Sequence, residues 1–120
     1  MSDDENNACL DIYNLGWEKG DSAIIYRVID DSYTFSGLPN TEPVDKKNFK
    51  MFWVKFRSTI EDGGGPPSVS GDFMKFKNAI RKKVEDGMIE SGQWEVPGFA
   101  NGVYMSFAKN GKIMWEAATM

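Results

Sequence analysis

EDGMIESGQWEVPGFANGVYMSFAKNGKIMWEAA, residues 85–118, is a series of short apolar stretches cut at nearly even intervals by turn-forming pairs. The cuts are Asp86-Gly87, then Pro97-Gly98 through Asn101-Gly102, then Asn110-Gly111. Asn-Gly and Asp-Gly supply the positive φ that tight hairpin turns need, so cuts spaced by one strand length predict an antiparallel meander. Four strands are expected, at about 73–84, 88–96, 102–108 and 112–118. The first is ambiguous alone, because Phe73, Phe76, Ile80 and Val84 also fit a helix; the punctuation that follows decides for strand.

Upstream the apolar period changes. Leu10, Tyr13 and Trp17 lie three and four residues apart, one face of a helix that stops at Gly20. Asp21 or Ser22 can cap a second short helix carrying Ile24, Ile25, Val28 and Ile29, with Asp30 and Asp31 closing it in solvent. Residues Ser32 to Phe35 alternate as one short strand, after which Gly37, Pro39, Asn40 and Pro43 predict a loop. From Asp45, residues Phe49, Phe52, Trp53, Phe56 and Ile60 mark an amphipathic third helix, its lysines 46, 47, 50 and 55 mostly on the wet side. Gly63-Gly64-Gly65-Pro66-Pro67 ends it in a surface loop. That glycine run closes a helix where a phosphate site opens one, and no Lys-Ser or Lys-Thr follows, so it is no phosphate cradle.

With 120 residues and neither a repeat nor a linker, residues 1–120 are expected to form a single domain. Fourteen Lys and Arg scattered among 18 acids give a net charge of −4, which argues against nucleic acid as a partner. No apolar run approaches the ~20 residues of a membrane span, and the start, Met-Ser-Asp-Asp-Glu-Asn-Asn, is acidic where a signal peptide is basic. A cytoplasmic location follows as the expectation. Cys9 is alone and His is absent, so neither an internal disulfide nor a His/Cys metal cluster can form, and no metal or other cofactor is expected. Proton transfer would fall to Asp, Glu, Lys or Tyr.

The order helix, helix, strand, aromatic helix and four-stranded meander resembles the nuclear transport factor 2-like superfamily, which includes SnoaL-like cyclases, ketosteroid isomerase and scytalone dehydratase. The resemblance runs over nearly the whole chain and rests on Trp17-Glu18-Lys19-Gly20-Asp21, Asp30-Asp31-Ser32-Tyr33-Thr34-Phe35, Phe49-Lys50-Met51-Phe52-Trp53 and Asn110-Gly111-Lys112-Ile113. It implies an α+β fold, a cone-shaped barrel in which a curved antiparallel β-sheet wraps around three N-terminal helices and leaves a conical apolar chamber. It also places Tyr13 where ketosteroid isomerases carry an oxyanion-donating tyrosine. The isomerase base has no counterpart, because Gly37 with Ser36 stands there, and Val103 stands where the second oxyanion donor belongs. Ketosteroid isomerase activity is therefore not expected, and scytalone dehydratase chemistry, which leans on histidines, is excluded.

Two candidate catalytic residues remain, Tyr13 and Glu116. On the isomerase-like register Glu116 faces the chamber, where desolvation would make it a usable base. The competing reading, an outward charge beside Trp115, is the commoner fate of an acid. Trp17, Tyr33, Phe35, Phe52, Trp53, Phe56, Trp94, Val103, Met105 and Phe107 could line a chamber for a small apolar molecule, or the rings could fill the cone themselves. Asp30 with Asp31 could form a carboxylate pair, although neighbours on a strand point opposite ways. Lys75, Lys77, Arg81, Lys82 and Lys83 could form an anion or partner site, but alternation divides them between both faces, which favours a solvated surface.

Two functions stay open. A SnoaL-like ligand-binding protein, with any isomerase, cyclase or lyase chemistry cofactor-free, predicts a chamber of ~300 Å3 or more holding a buried carboxyl. A dimerisation or protein-interaction module predicts a filled cone and an apolar outer sheet face. A homodimer is expected on either reading.

Overall fold

The structure, a computed structural model, describes residues 2–37, 40–63 and 73–119. Helix α1 spans Ser2–Lys19, beginning well before the apolar stripe that announced it. Asp3, Asp4 and Glu5 in its first turn and Lys19 in its last complement the helix dipole and extend it through a polar stretch. Gly20, at φ 68°, ends it, and Asp21 then caps α2 (Ser22–Val28) by accepting from the Ala23 amide at 2.9 Å. Helix α3 (Lys46–Asp62) starts from Asp45, whose carboxylate accepts from the Asn48 amide at 3.0 Å. Its buried face carries Phe49, Phe52, Trp53 and Ile60; each such side chain removed from water contributes about 1.5–3 kcal/mol.

Six strands form one curved, unclosed sheet in the order β2-β1-β6-β5-β4-β3. They are β1 (Ile29–Gly37), β2 (Asn40–Asp45), β3 (Lys75–Val84), β4 (Gly87–Val96), β5 (Ala100–Lys109) and β6 (Lys112–Thr119). All pairings are antiparallel except β1 with β6, which run parallel. Helix α1 packs on β4, β5 and β6, and α3 on β1 and β2, so the core lies in the concavity of the sheet.

Three expectations need correction. The segment taken as a loop after Gly37 holds strand β2; as an edge strand it tolerates Pro43, which cannot donate to a ladder. Asp30 and Asp31 belong to β1, because α2 already stops at Val28. The Asn101-Gly102 pair lies inside β5, the turn being confined to residues 97–99. A Cβ on Gly102 would collide with the Thr119 carbonyl and the Trp94 indole, so this glycine serves a close approach between strands. Asn110 and Gly111, both at positive φ, do form the expected β5–β6 turn. The surface-loop reading of residues 64–67 lies outside the described residues.

Candidate functional site

Pleating sends Tyr104, Ser106 and Ala108 of β5 into the core. On β6, Glu116 lies opposite Ser106 and is 7% exposed. Burial of so polar a group requires partners, and it has them. Ser106 Oγ donates to Glu116 Oε1 at 3.2 Å, and the Tyr13 phenol donates to the same carboxyl. Tyr13 in turn shares a 2.7 Å hydrogen bond with the phenol of Tyr33. Desolvation pushes the Glu116 carboxyl up to about 7, opposed by the bonds from Tyr13 and Ser106 and assisted by the charge of Glu90. The Tyr13 and Tyr33 phenols, fully buried, are held well above the usual range, first by desolvation and then by Glu116.

Beside this carboxyl is a cavity of about 110 Å3. Aromatic and aliphatic groups line it, Trp17, Phe35, Phe56, Phe76, Trp94 and Met74 among them, and its rim includes Thr59, Phe99 and Thr119. Among the described residues, Glu116 is the one ionisable side chain in that lining. Trp17, 3% exposed, also contributes an indole N–H with no hydrogen-bond partner among the described residues.

A second buried acid lies two strands away in the same cross-strand row. Glu90 on β4 is 1% exposed and accepts from Arg81 Nε at 2.7 Å, Tyr104 OH at 2.6 Å and Asn14 Nδ2 at 2.8 Å. Arg81 extends from there to Asp11 at 2.7 Å and to the Asn7 carbonyl at 3.3 Å, tying β3 and β4 to helix α1.

Of the residues proposed from sequence, Trp17, Phe35, Phe56, Trp94 and Glu116 meet around the cavity. Tyr13 stands behind Glu116 and touches it without lining the space. Tyr33, Phe52 and Trp53 are absorbed into the packed ring cluster: Phe52 lies 5.1 Å from Phe35 and Trp53 5.1 Å from Trp17 between centroids. These rings occupy most of the cone, which is why the space falls well short of the expected volume. Val103, Met105 and Phe107 are corrections, because they point to the outer sheet face, where Val103 is 51% and Met105 42% exposed and Phe107 packs on Trp115. Glu116 itself is turned inward rather than outward beside Trp115. Asp30 and Asp31 form no pair; Asp30 binds the amide and hydroxyl of Ser32, whereas Asp31 meets Lys46. The basic stretch is mostly exposed as expected, Arg81 excepted. Sequence reading missed Glu90, Arg81, Met74, Phe76 and Phe99; the alternation of β4 puts Glu90 on the same face as Trp94, a signal that was present.

No protein-family model and no curated protein sequence matches the chain. Solved structures do. A nuclear transport factor 2-like protein of unknown function from Shewanella oneidensis MR-1 superposes with a TM-score of 0.63 at 12% identity, covering 98% of both chains. The chain has the nuclear transport factor 2-like fold. A putative polyketide cyclase from Xanthomonas campestris pv. campestris aligns over 100% of this chain and 93% of its own, with a TM-score of 0.64 and 9% identity. TerC, co-crystallised with polyporic acid, gives 0.68 at 13% identity over 95% of this chain and 89% of its own. Within this nuclear transport factor 2-like fold, the polar groups that reach the cone are set by individual side chains, here the carboxyl of Glu116.

Proposed function

We propose that the cavity binds a small apolar molecule about one ring in size and that Glu116 is its acid–base group, serving isomerase, cyclase or lyase chemistry of the SnoaL-like kind without a cofactor. The observation carrying this reading is a single carboxyl, raised to about 7, in an otherwise apolar lining. At neutral pH such a group holds and releases its proton with comparable ease, as general acid–base work requires. Tyr13 is a positioning residue in this scheme: its phenol and Ser106 orient the carboxyl, and neither lines the cavity. The volume of about 110 Å3 approaches that of cavities that accept benzene, so a larger guest would extend through the rim at Thr59 and Phe99. Similarity in fold to putative polyketide cyclases and to a protein co-crystallised with polyporic acid supports a small organic guest.

Acetophenone is a suitable probe, since it combines one ring with a ketone and exchangeable α-hydrogens. Quenching of tryptophan fluorescence should report binding through Trp17 and Trp94. Proton–deuterium exchange at the ketone's methyl group should be accelerated by the protein and lost in Glu116→Gln. No binding by this or related monocyclic ketones and phenols up to millimolar concentration would remove the reading.

A second proposal concerns assembly. The outer sheet face carries cross-strand rows Ile80–Ser91–Met105–Ala117 and Lys82–Ile89–Phe107–Trp115, with Ile80 68% exposed. We propose that this apolar face pairs with a second copy of the chain. Sedimentation equilibrium should find a dimer that Met105→Lys dissociates; a monomer at high micromolar concentration refutes it. None of the helices among the described residues is long and apolar enough to cross a membrane.

A further inference from the structure

Four side chains stand in one cross-strand row on the inner sheet face. Arg81 of β3 is opposite Glu90 of β4, Glu90 is opposite Ser106 of β5, and Ser106 is opposite Glu116 of β6. The row leads from an ion pair at the β3 edge of the sheet to the carboxyl in the cavity. Glu90 receives three donors, one a guanidinium, the arrangement of a fixed carboxylate anion. Arg81, its counterion, lies on the side away from Glu116 and divides its charge with Asp11.

We propose that Glu90 is a positioning residue for Glu116, its buried negative charge acting across the Ser106 strand to favour the neutral, proton-donating form of the cavity carboxyl. Along the row the backbone of Glu90 is two strand spacings from that of Glu116, about 9.5 Å, and that of Arg81 is three, about 14 Å. The anion is therefore the nearer charge and its repulsion is only partly cancelled. The other groups facing Glu116 are the phenols of Tyr13 on α1, Tyr33 on β1 and Tyr104 on β5, all pushed upward by burial and uncharged at neutral pH. Glu90 is thus the remaining charge near enough to bias Glu116 among the described residues that interact with it. The functional consequence rests on Glu116 being the acid–base group proposed above; the electrostatic coupling does not.

The test is a carbon NMR titration of the side-chain carboxyls in protein labelled at glutamate, with Glu116→Gln identifying the resonance. Glu90→Gln should lower the Glu116 midpoint by about one pH unit. Glu90→Asp, which keeps the charge, should restore most of it, a rescue that a merely structural role would not give. If Glu90→Gln does not fold, Arg81→Met with Glu90→Met replaces the pair by apolar groups, and the midpoint should fall by about half a unit. A folded Glu90→Gln protein with an unchanged midpoint overturns the proposal, as does Glu90→Asp shifting it as far as Glu90→Gln. Should the midpoint move while acetophenone fails to bind, the coupling stands and the ligand-binding reading falls.

Discussion

Replacing Glu116 by Gln should change how stability depends on pH, with a sign opposite to that of most carboxylates. The carboxyl goes from an ordinary value of 4.5 to about 7 in the folded chain. An acid raised in the folded state binds its proton more tightly there than in the unfolded chain, so its contribution is fully present below pH 4.5 and is lost as pH rises through about 7. Each unit of difference is worth about 1.36 kcal/mol, and the interval of 2.5 units therefore amounts to about 3 kcal/mol. Gln retains the shape and accepts from Tyr13 but cannot ionise. Urea unfolding at pH 4.5, 5.5, 6.5, 7.5 and 8.5, with wild type and Glu116→Gln side by side, isolates Glu116 and its coupling to Glu90, because the carboxylates away from it titrate alike in both. Tyr13 and Tyr33 charge far above this window. The variant should gain on the wild type between pH 4.5 and about 7 and level off above that, about 3 kcal/mol from its position at pH 4.5. A difference that stays flat within about 0.5 kcal/mol would mean that Glu116 is not desolvated, and the acid–base reading would lose its support.

Two further outcomes follow from the same packing. Arg81→Met strips the cation from a carboxylate that is 1% exposed and should cost about 3 kcal/mol in urea unfolding. Adding Glu90→Met should recover most of that loss, and a double variant no better than the single one would contradict the ion-pair account. Gly102→Ala forces a methyl group against the Thr119 carbonyl and the Trp94 indole and should lower stability by about 2 kcal/mol, visible as a fall in Tm; an unchanged Tm would mean the strands can part there without cost.

The strands and helices were legible because their signals are local. Phe49, Phe52, Trp53 and Ile60 repeat at helical spacing and face the sheet. Asn110-Gly111 adopts the two positive φ values that its turn demands. The failures were places where a local signal met a non-local requirement. Gly102 follows Asn101 as a turn would prescribe, yet the residue is glycine because another strand lies against it. Pro43 reads as a breaker until β2 is known to be an edge.

The same division runs through the site. Alternation alone puts Val103, Met105 and Phe107 on one face of β5 and Tyr104, Ser106 and Ala108 on the other, but it does not say which face is the core. The identity of the faces is settled by charge as much as by hydrophobicity. If the register were slipped by one residue, Met105 and Phe107 would enter the core, and Glu116 would lose Ser106 and Tyr13 together. Glu90 would likewise be separated from Tyr104 and Asn14. A β5 with three large apolar residues outside and a serine inside is favourable only because two buried acids need donors there. The outward apolar row and the inward polar row are therefore two results of one register. The register that leaves Met105 exposed on the outer face is the one that frees the inner face to place Glu116 beside the cavity.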